Sequence, residues 1–431
     1  MRHGTIVLVL LATAATTAGC GARCADIAAR KRALTTRTMV APGPHAQVRI
    51  PMARANAVLA ALVHDQPISV PIALPELGPF ALPVHELAAV ARDVELRPAP
   101  PDRLRFAIRI EVDDAQQPLT TLAIVAEVKP ELVRTADASE LVAGFGPEGL
   151  LAVVPELGPD AGHALVDAVA RWLPPAIRDH LPRAIVERAA QQLAGYLTGE
   201  AYQLLRVTLL RRLGDLTRLR LRLPALPIAS TALTSSPDTL TVDLTTDLPV
   251  RHGLTASPEP SDDVQVRISG STAAELANWS IDHGHLPQHY TRDLEPRANG
   301  QYRPWLDFVA DDRQRPVKLH VVQDRGGCSY FQVGLLLRLE IVGDQLNIAL
   351  LDRRVESAEA SAPLELALWL KQLIQGSIDS SRRAAAHTRL SVGGRTLVTR
   401  VVRATMAGDE LAFALQIAAE PTPKATDSII R

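Results

Sequence analysis

A four-residue repeat placed about half a chain apart constrains this sequence more than any other feature. Gln47-Val48-Arg49-Ile50 returns as Gln265-Val266-Arg267-Ile268 in a chain of 431 residues. A helix-prone run follows each copy, Met52 to Asp65 after the first and Ser271 to Asp282 after the second. Four matched residues are weak alone, so the elements that follow decide whether the chain is duplicated.

The first copy is followed by strand patterns and one long helix pattern. Apolar and polar residues alternate from Arg103 to Val112 and again from Leu122 to Val128, which is typical of an antiparallel meander with one apolar face. Helical periodicity then runs from Leu181 to Leu213, about 45 to 50 Å at 1.5 Å per residue. Alternating strands at Leu219 to Leu223 and Leu240 to Leu248 follow.

The second copy is followed by the same order of patterns. Strong alternation from Val333 to Ile341 comes after an irregular insertion from His283 to Arg315. A second long helix is predicted from Pro363 to about Ala386, and strands at Thr396 to Ala404 and Glu410 to Ala419 close the series. Strand, short helix, meander, long helix and strand pair therefore occur twice, which predicts a duplicated α+β chain.

The length of the chain and these patterns predict its division into segments. A chain of 431 residues exceeds what one hydrophobic core usually organises, so two or three domains are expected. The predicted segments are a signal peptide over 1–20, a tether over 21–44, a first domain over 45–250, a Pro-, Ser- and Asp-rich linker over 251–263, a second domain over 264–420 and a frayed tail over 421–431.

The first twenty residues have the pattern of a targeting segment. A short basic start precedes an apolar stretch, Thr5 to Ala18, that is too short to span a bilayer comfortably. Thr17-Ala18-Gly19-Cys20 resembles the lipobox of bacterial lipoproteins, although Thr17 stands where those proteins usually have an aliphatic residue. The resemblance implies that Cys20 is acylated and becomes the mature N-terminus. Ordinary signal-peptidase cleavage and an uncleaved anchor are the alternatives.

An acylated Cys20 would tether the chain to a membrane leaflet. The expected location is the bacterial cell envelope, at the periplasmic face of the outer membrane. No later apolar run reaches about 18 residues, so the mature chain is expected to have no membrane span. Cys24 and Cys328 would then remain, and two readings stay open: a disulfide in an oxidising compartment, or a free thiol at Cys24 near the anchor.

The charge balance of the chain argues against a nucleic-acid partner. The formal net charge is −1, which gives no global field for attracting polyanions. Arginines alternate with leucines from Arg218 to Arg222, and this alternation favours the solvated face of a strand over a phosphate-binding patch.

Candidate catalytic and metal-binding groups each have a simpler structural explanation. His283, His285 and His289 could bind a metal, but a solvated insertion loop explains them equally well. Cys328 would need a base such as His320 to act as a nucleophile, and a glycine turn entering a strand is simpler. Ser269-Gly270-Ser271 is better explained as a helix cap than as a hydrolase serine. We therefore expect no enzyme activity, no cofactor and no metal.

A long apolar helix held against strands with one apolar face resembles the tubular lipid-binding (TULIP) superfamily, similar to bactericidal/permeability-increasing protein. The segments that carry the resemblance are Gln47 to Asp65, Leu104 to Val128, Leu181 to Leu213, Leu219 to Leu248, Val264 to Ile281 and Val333 to Ala419. The likeness is architectural, covers most of the mature chain and includes no diagnostic motif. It implies two tandem units, each a long helix packed in a curved antiparallel sheet, with lipid held in the gap between them.

The resemblance also implies a function and a set of lipid-lining residues. The candidates are Phe106, Ile108, Ile110, Leu193, Leu197, Leu204, Leu337, Leu339, Leu370 and Leu373. The expected function is that of an envelope lipoprotein that binds or transfers lipid or another hydrophobic ligand without catalysis. Side chains of the helix could fill the same space, and the alternative is a structural or assembly lipoprotein that binds other envelope proteins.

Overall fold

A computed structural model of the protein describes most of the chain after residue 23. The described residues are 24–38, 40–63, 67–72, 85–100, 102–114, 118–129, 131–134, 138–143, 150–156, 161–173, 182, 184–185, 187–188, 191, 219–224, 226–255, 261–291, 295–360, 382–392 and 395–420.

Strands make up most of this described part. In the first half they are β1 (Ala46–Pro51), β2 (Pro67–Ile72), β3 (His85–Ala99), β4 (Arg103–Asp113), β5 (Pro118–Val128), β6 (Glu131–Arg134), β7 (Ala138–Ala143), β8 (Leu150–Glu156), β9 (Leu219–Pro224), β10 (Ile228–Ser235) and β11 (Thr239–Thr246). In the second half they are β12 (Val264–Ser269), β13 (Tyr302–Phe308), β14 (Val317–Gln323), β15 (Ser329–Val342), β16 (Gln345–Ala360), β17 (Arg382–Ala385), β18 (His387–Val392), β19 (Arg395–Ala407) and β20 (Glu410–Ala419).

The two copies of the repeat lie side by side in the middle of a seven-stranded antiparallel sheet, the central sheet. Its strand order is β10-β11-β1-β12-β20-β19-β18, so both halves of the chain contribute strands. The register of β1 with β12 places Val48 opposite Val266 and Gln47 opposite Arg267. Each copy therefore pairs with the other about a local twofold axis between the two valines. The predicted domain boundaries stay predictions, and the central sheet takes strands from both sides of them.

The local twofold relation extends to the neighbouring strands. β11 pairs with β1 and β20 pairs with β12, and these outer partners begin at Thr239 and Glu410. Arg49 Nη2 donates to Thr239 Oγ1 at 3.4 Å. In the second half, Arg267 is 5% exposed, and its Nε and Nη2 donate to Glu410 Oε2 at 2.9 and 2.6 Å. The equivalent arginines thus reach equivalent positions, where the first meets a threonine hydroxyl and the second a carboxylate.

Each half adds a five-stranded antiparallel sheet to the central one. The first outer sheet has the order β2-β3-β4-β5-β8, and the second outer sheet has the order β13-β14-β15-β16-β17. A three-stranded sheet, β6-β7-β9, belongs to the first half. In β4, buried residues alternate with more exposed ones along its eleven positions. This confirms the half-buried strand predicted from Arg103 to Val112.

The predicted fold class, α+β with a long helix packed in a curved sheet in each unit, is wrong for the described part of the chain. The longer helices there are α1 (24–35), α2 (Met52–Val63), α3 (Ala161–Trp172) and α4 (Gly270–Asp282). Each has only 12 or 13 residues, so the fold is mainly antiparallel β. No described helix is long and apolar enough to cross a bilayer.

Strand pairing overrides local pattern at several places. The second predicted long helix reaches Ala386, yet Arg382–Ala385 is β17 and pairs with β16. The remainder of that helix, and most of Leu181 to Leu213, lie outside the described residues. The patterns also miss β3, because alanines and charged residues are poor strand formers. β2 and β4 pair with β3 on both sides, and these partners supply the hydrogen bonds that local propensity does not.

Part of the segment predicted as a tether is the docked helix α1. Its Ile27, only 4% exposed, packs in one cluster with Trp305, Val322 and Tyr330 of the second outer sheet. Arg30 forms an ion pair with Glu359 at 2.7 Å. The apolar contact of Ile27 explains why the predicted tether is a docked helix. The sequence around Ile27 is rich in small and polar residues, so no helical pattern of apolar residues is evident there.

A disulfide joins the start of α1 to the second outer sheet. Cys24 is bonded to Cys328, which directly precedes β15 and lies 304 residues away in the sequence. Of the two alternatives that the sequence left open for Cys24, a disulfide and a free thiol, the structure has the disulfide. A cross-link over so long a loop is of the kind that stabilises a fold chiefly by restricting the unfolded chain.

The buried ion pair of the central sheet predicts a large stability loss on Glu410→Ala. Removing the carboxylate takes the Glu410 ion pair from the buried Arg267 guanidinium, and breaking a buried ion pair in this way typically costs about 3 to 5 kcal/mol of the free energy of unfolding. Urea denaturation measures the change. The control is Glu420→Ala, whose partner Arg389 is 68% exposed at a distance of 3.2 Å. It should change stability by less than about 0.5 kcal/mol, and equal losses in the two variants would contradict the role given to Arg267.

Candidate ligand-binding face

The apolar face of the first outer sheet is filled by side chains. The residues of β4 on this side are at most 8% exposed: Leu104, Phe106, Ile108, Ile110 and Val112. Ala55 and Leu59 of α2 and Ala168 of α3 pack in the same cluster. The two short helices therefore cover this face, and it is an ordinary hydrophobic core.

The second outer sheet has an equivalent apolar face along β15 and β16. Their register pairs apolar residues along one side, Phe331 with Ala358, Val333 with Val355, Leu337 with Leu350, Leu339 with Ile348 and Ile341 with Leu346. Near the start of β15 this face is closed, because Phe331 and Val333 are 1% exposed and pack against Tyr302 and Val321. Cross-strand pairs of this kind hold a sheet together and leave one continuous apolar surface.

Toward the turn between β15 and β16, the same face is less buried. Ile348 is 37% exposed, and its neighbours on this face are half-buried. We call the following six residues the open strip: Leu335, Leu337, Ile341, Leu346, Ile348 and Leu350. Arg353, opposite Leu335, is the polar residue in this series of pairs. Apolar surface that the described residues leave partly exposed is a candidate site of interaction.

The predicted lipid-lining residues fall into three groups. Phe106, Ile108 and Ile110 belong to the filled core of the first half. Leu337 belongs to the open strip, and Leu339, 9% exposed, lies on the same face. The others lie outside the described residues: Leu193, Leu197, Leu204, Leu370 and Leu373. Contact of any of these residues with lipid stays a prediction.

The opposite face of the second outer sheet carries a buried polar cluster, which we define as Arg37, Glu275, Asp307, His320 and Tyr330. These residues come from the segment after α1, from α4 and from β13, β14 and β15. The register of β13 with β14 places Trp305 opposite His320, so the histidine and Asp307 lie on one side of the sheet.

Arg37 joins the two carboxylates of the polar cluster. Its Nη1 donates to Glu275 Oε1 at 3.0 Å, and its Nη2 donates to Asp307 Oδ2 at 2.9 Å. All three side chains are at most 12% exposed. Arg251 Nη1 lies 3.2 Å from the same Asp307 oxygen. Burial raises the pKa of Glu275, against the opposing effect of its hydrogen bond from Asn278 and of Arg37.

His320 lies next to these charges but is itself held neutral. Burial lowers the pKa of His320 to about 4, although the negative charge of Asp307 acts in the opposite direction. Its Nδ1 lies 2.8 Å from the Tyr330 hydroxyl, which donates to Gln332 Oε1 at 3.1 Å. Within the described residues, His320 Nε2 has no hydrogen-bond partner and lies 4.0 Å from Asp307 Oδ2.

The polar cluster connects the N-terminal segment to the second outer sheet. Tyr330 is only 3% exposed, so its hydroxyl is not presented to a substrate. Sequence patterns do not single out Arg37, Glu275 or Asp307. The signal that could have identified the cluster is Asp307 itself, a carboxylate in a strand of aromatic and apolar neighbours, because such a group is rarely buried without a partner.

The structure also shows the surroundings of the candidate catalytic and metal-binding residues. Cys328 is in a disulfide, so its thiol is not available as a nucleophile. Ser269 caps α4 by accepting a hydrogen bond from Thr272 N at 3.1 Å, as predicted. His283 stacks against Trp279 and His285 contacts the same ring at a tilt, whereas His289 faces Asp324 at 3.6 Å. Among the described residues, no group of three or more His, Cys, Asp or Glu side chains could hold a metal ion.

Comparisons with known proteins identify no family for this chain. No protein-family model matches it, and no curated protein matches it. Among solved structures, it is similar to that of P47 from Clostridium botulinum A2, with 10% identity, coverage of 87% of this chain and 97% of the other, and a TM-score of 0.32. It is also similar to a lipopolysaccharide binding protein, with 10% identity, coverage of 88% and 100%, and a TM-score of 0.26. Scores this low do not establish a shared fold, so membership of the tubular lipid-binding superfamily stays a prediction.

The buried neutral His320 predicts a loss of stability in mild acid. The unfolded chain binds a proton at this residue near pH 6.5 and the folded chain only near pH 4, so the unfolded state holds more protons between these values. The free energy of unfolding should therefore fall as pH is lowered through this window, by up to about 3 kcal/mol. Urea midpoints at pH 7 and pH 4.5 measure the fall.

His320→Gln removes the titrating group and should flatten this pH dependence. His283→Gln changes an exposed histidine and serves as the matched control, with the wild-type dependence expected. A fall of the same size in His320→Gln and in the wild type would assign the acid sensitivity to other groups.

Proposed function

We propose that this protein is an envelope lipoprotein that binds lipid or another apolar ligand without catalysis. The observation that carries the proposal is the open strip on the second outer sheet. Burying apolar surface of this kind contributes about 25 cal/mol for each Å² removed from water. A ligand bound over the strip would cover the apolar face of the second outer sheet, as α2 and α3 cover the apolar face of the first outer sheet.

The chemistry of the strip favours an apolar chain as its ligand. Leu335, Leu337 and Ile341 alternate along β15, and their cross-strand neighbours are leucine or isoleucine over most of this length. Among the described strands, β15 pairs with β14 over residues 330–335 and with β16 over residues 329–342. A peptide added as a further strand binds at a sheet edge, whereas an acyl chain needs only apolar contact with the face, which is where the open strip lies.

The disulfide supports the envelope location in the proposal. Disulfides persist in oxidising compartments such as the bacterial periplasm and are rare in the cytosol. Cys24–Cys328 is therefore what an exported protein would be expected to form. The basic start, the apolar stretch and Cys20 lie outside the described residues, and they support export and acylation through their sequence pattern alone.

Replacing Cys20 by Ser tests the anchor. The variant should lose the mass of the acyl groups and leave the membrane fraction, because the mature chain has no other predicted membrane attachment. Intact mass spectrometry and fractionation of cell envelopes measure the two effects. The anchor would be contradicted if Cys20→Ser stayed in the membrane fraction and its intact mass showed no loss of acyl groups relative to the wild type.

Ile348→Asp tests the open strip. A carboxylate in the strip should weaken binding of a fluorescent fatty acid by about tenfold or more, since loss of one buried isoleucine contact is worth roughly 1.5 to 3 kcal/mol. The matched control is Val342→Asp, at a residue that is 57% exposed and alternates to the opposite face of β15. Native mass spectrometry of the Cys20→Ser protein gives a second readout as co-purifying lipid. Equal binding by both variants, or a protein free of exchangeable lipid, would refute the proposal.

A further inference from the structure

Cys20, the residue proposed to carry the acyl anchor, lies close in sequence to Cys24, whose position on the fold is fixed. Cys24 is bonded to Cys328, with their Cα atoms 5.3 Å apart. From Cys24 onward α1 is docked through Ile27, through the Arg30 ion pair with Glu359 and through an ion pair of Lys31 with Asp324. The position of Cys24 is therefore set by the second outer sheet.

Only three residues separate Cys20 from Cys24. Four extended peptide steps reach at most about 14 Å. We propose that this short connection holds one end of the second half against the bilayer surface, with the partner being the lipid headgroup region. This inference rests on the proposed acylation of Cys20.

The chain segments around Cys328 define the end that would meet the bilayer, which we call the anchor-proximal end: residues 279–291 and 324–328. Asp324 N donates to Gln301 O at 2.7 Å, and Asp324 Oδ2 faces His289 at 3.6 Å. Leu286 N in turn donates to Ser280 O at 3.0 Å. The contact between Asp324 and His289 thus connects the turn before Cys328 to the loop that follows α4.

The anchor-proximal end has side chains suited to a membrane interface. Trp279 is partly exposed and stacks on His283, with ring centroids 4.4 Å apart, and its ring contacts that of His285 in a tilted arrangement at 5.2 Å. Rings with an apolar body and a polar edge are enriched where membranes meet water. Arg325 is exposed in the neighbouring turn and can reach lipid phosphates. An aromatic group of this kind fits the headgroup region of a bilayer.

Tryptophan quenching by brominated lipid tests this orientation. Full-length acylated protein is reconstituted into phosphatidylcholine vesicles whose acyl chains carry bromine near the glycerol end. The wild type should be quenched, and Trp279→Phe should lose at least half of that quenching. Trp172→Phe changes a tryptophan at the end of α3, in the first half of the chain, and should keep the quenching of Trp279.

A second variant leaves the aromatic group unchanged. Twelve Gly and Ser residues inserted between Cys20 and Cys24 should reduce quenching at least twofold, because the end is then no longer confined near the bilayer. Equal quenching of Trp279→Phe and wild type, or undiminished quenching in the extended variant, would overturn the orientation. An unacylated Cys20 in the intact mass would instead refute the anchor itself, so the two failures are distinguishable.

Discussion

The pairing of β1 with β12 is the constraint on which the rest of the structure depends. Each strand leads directly into a helix, β1 into α2 and β12 into α4, so their register sets where both helices begin. α2 then closes the core of the first half, and α4 brings Glu275 to the polar cluster of the second. Because the two copies pair with each other, neither half has a free edge at this position, which removes a site of strand-to-strand aggregation.

The two halves place equivalent strands in the middle of the central sheet but differ in the chemistry around them. At equivalent positions of the neighbouring strands, Asp243 lies opposite Gln47, whereas Ala414 lies opposite Gln265. Gln47 donates to Asp243 at 2.8 Å, whereas Gln265 Oε1 is buried and, in the described part of the chain, has no hydrogen-bond partner. The same divergence appears on the outer sheets, where one apolar face is filled and the other contains the open strip. The two halves therefore share the paired repeat but differ in how far the described residues cover the apolar face of each outer sheet.

The N-terminal segment connects the proposed anchor to the proposed ligand face. Cys328 precedes β15, and the open strip lies toward the other end of the same strand. Fourteen residues of strand extend about 45 Å. With the anchor-proximal end at the bilayer, the open strip can lie well away from the membrane that carries the acyl group. In the proposed arrangement, one strand separates the anchored end from the ligand-binding end.

The sequence by itself determined the repeated strand-and-helix start of each half, the half-buried strands and the capped start of α4, because each depends on local periodicity or on a short-range hydrogen bond. It did not determine β3, β17 or the docking of α1, since these elements are stabilised by partners far along the chain. Arg382–Ala385 is a strand because β16 pairs with it, and Cys24 is fixed because Cys328 meets it across 304 residues. The same holds for the candidate site: the alternation from Leu335 to Ile341 predicts an apolar face, but only tertiary packing decides that its far end stays open. Local pattern fixes which side chains share a surface, and long-range packing fixes what covers it.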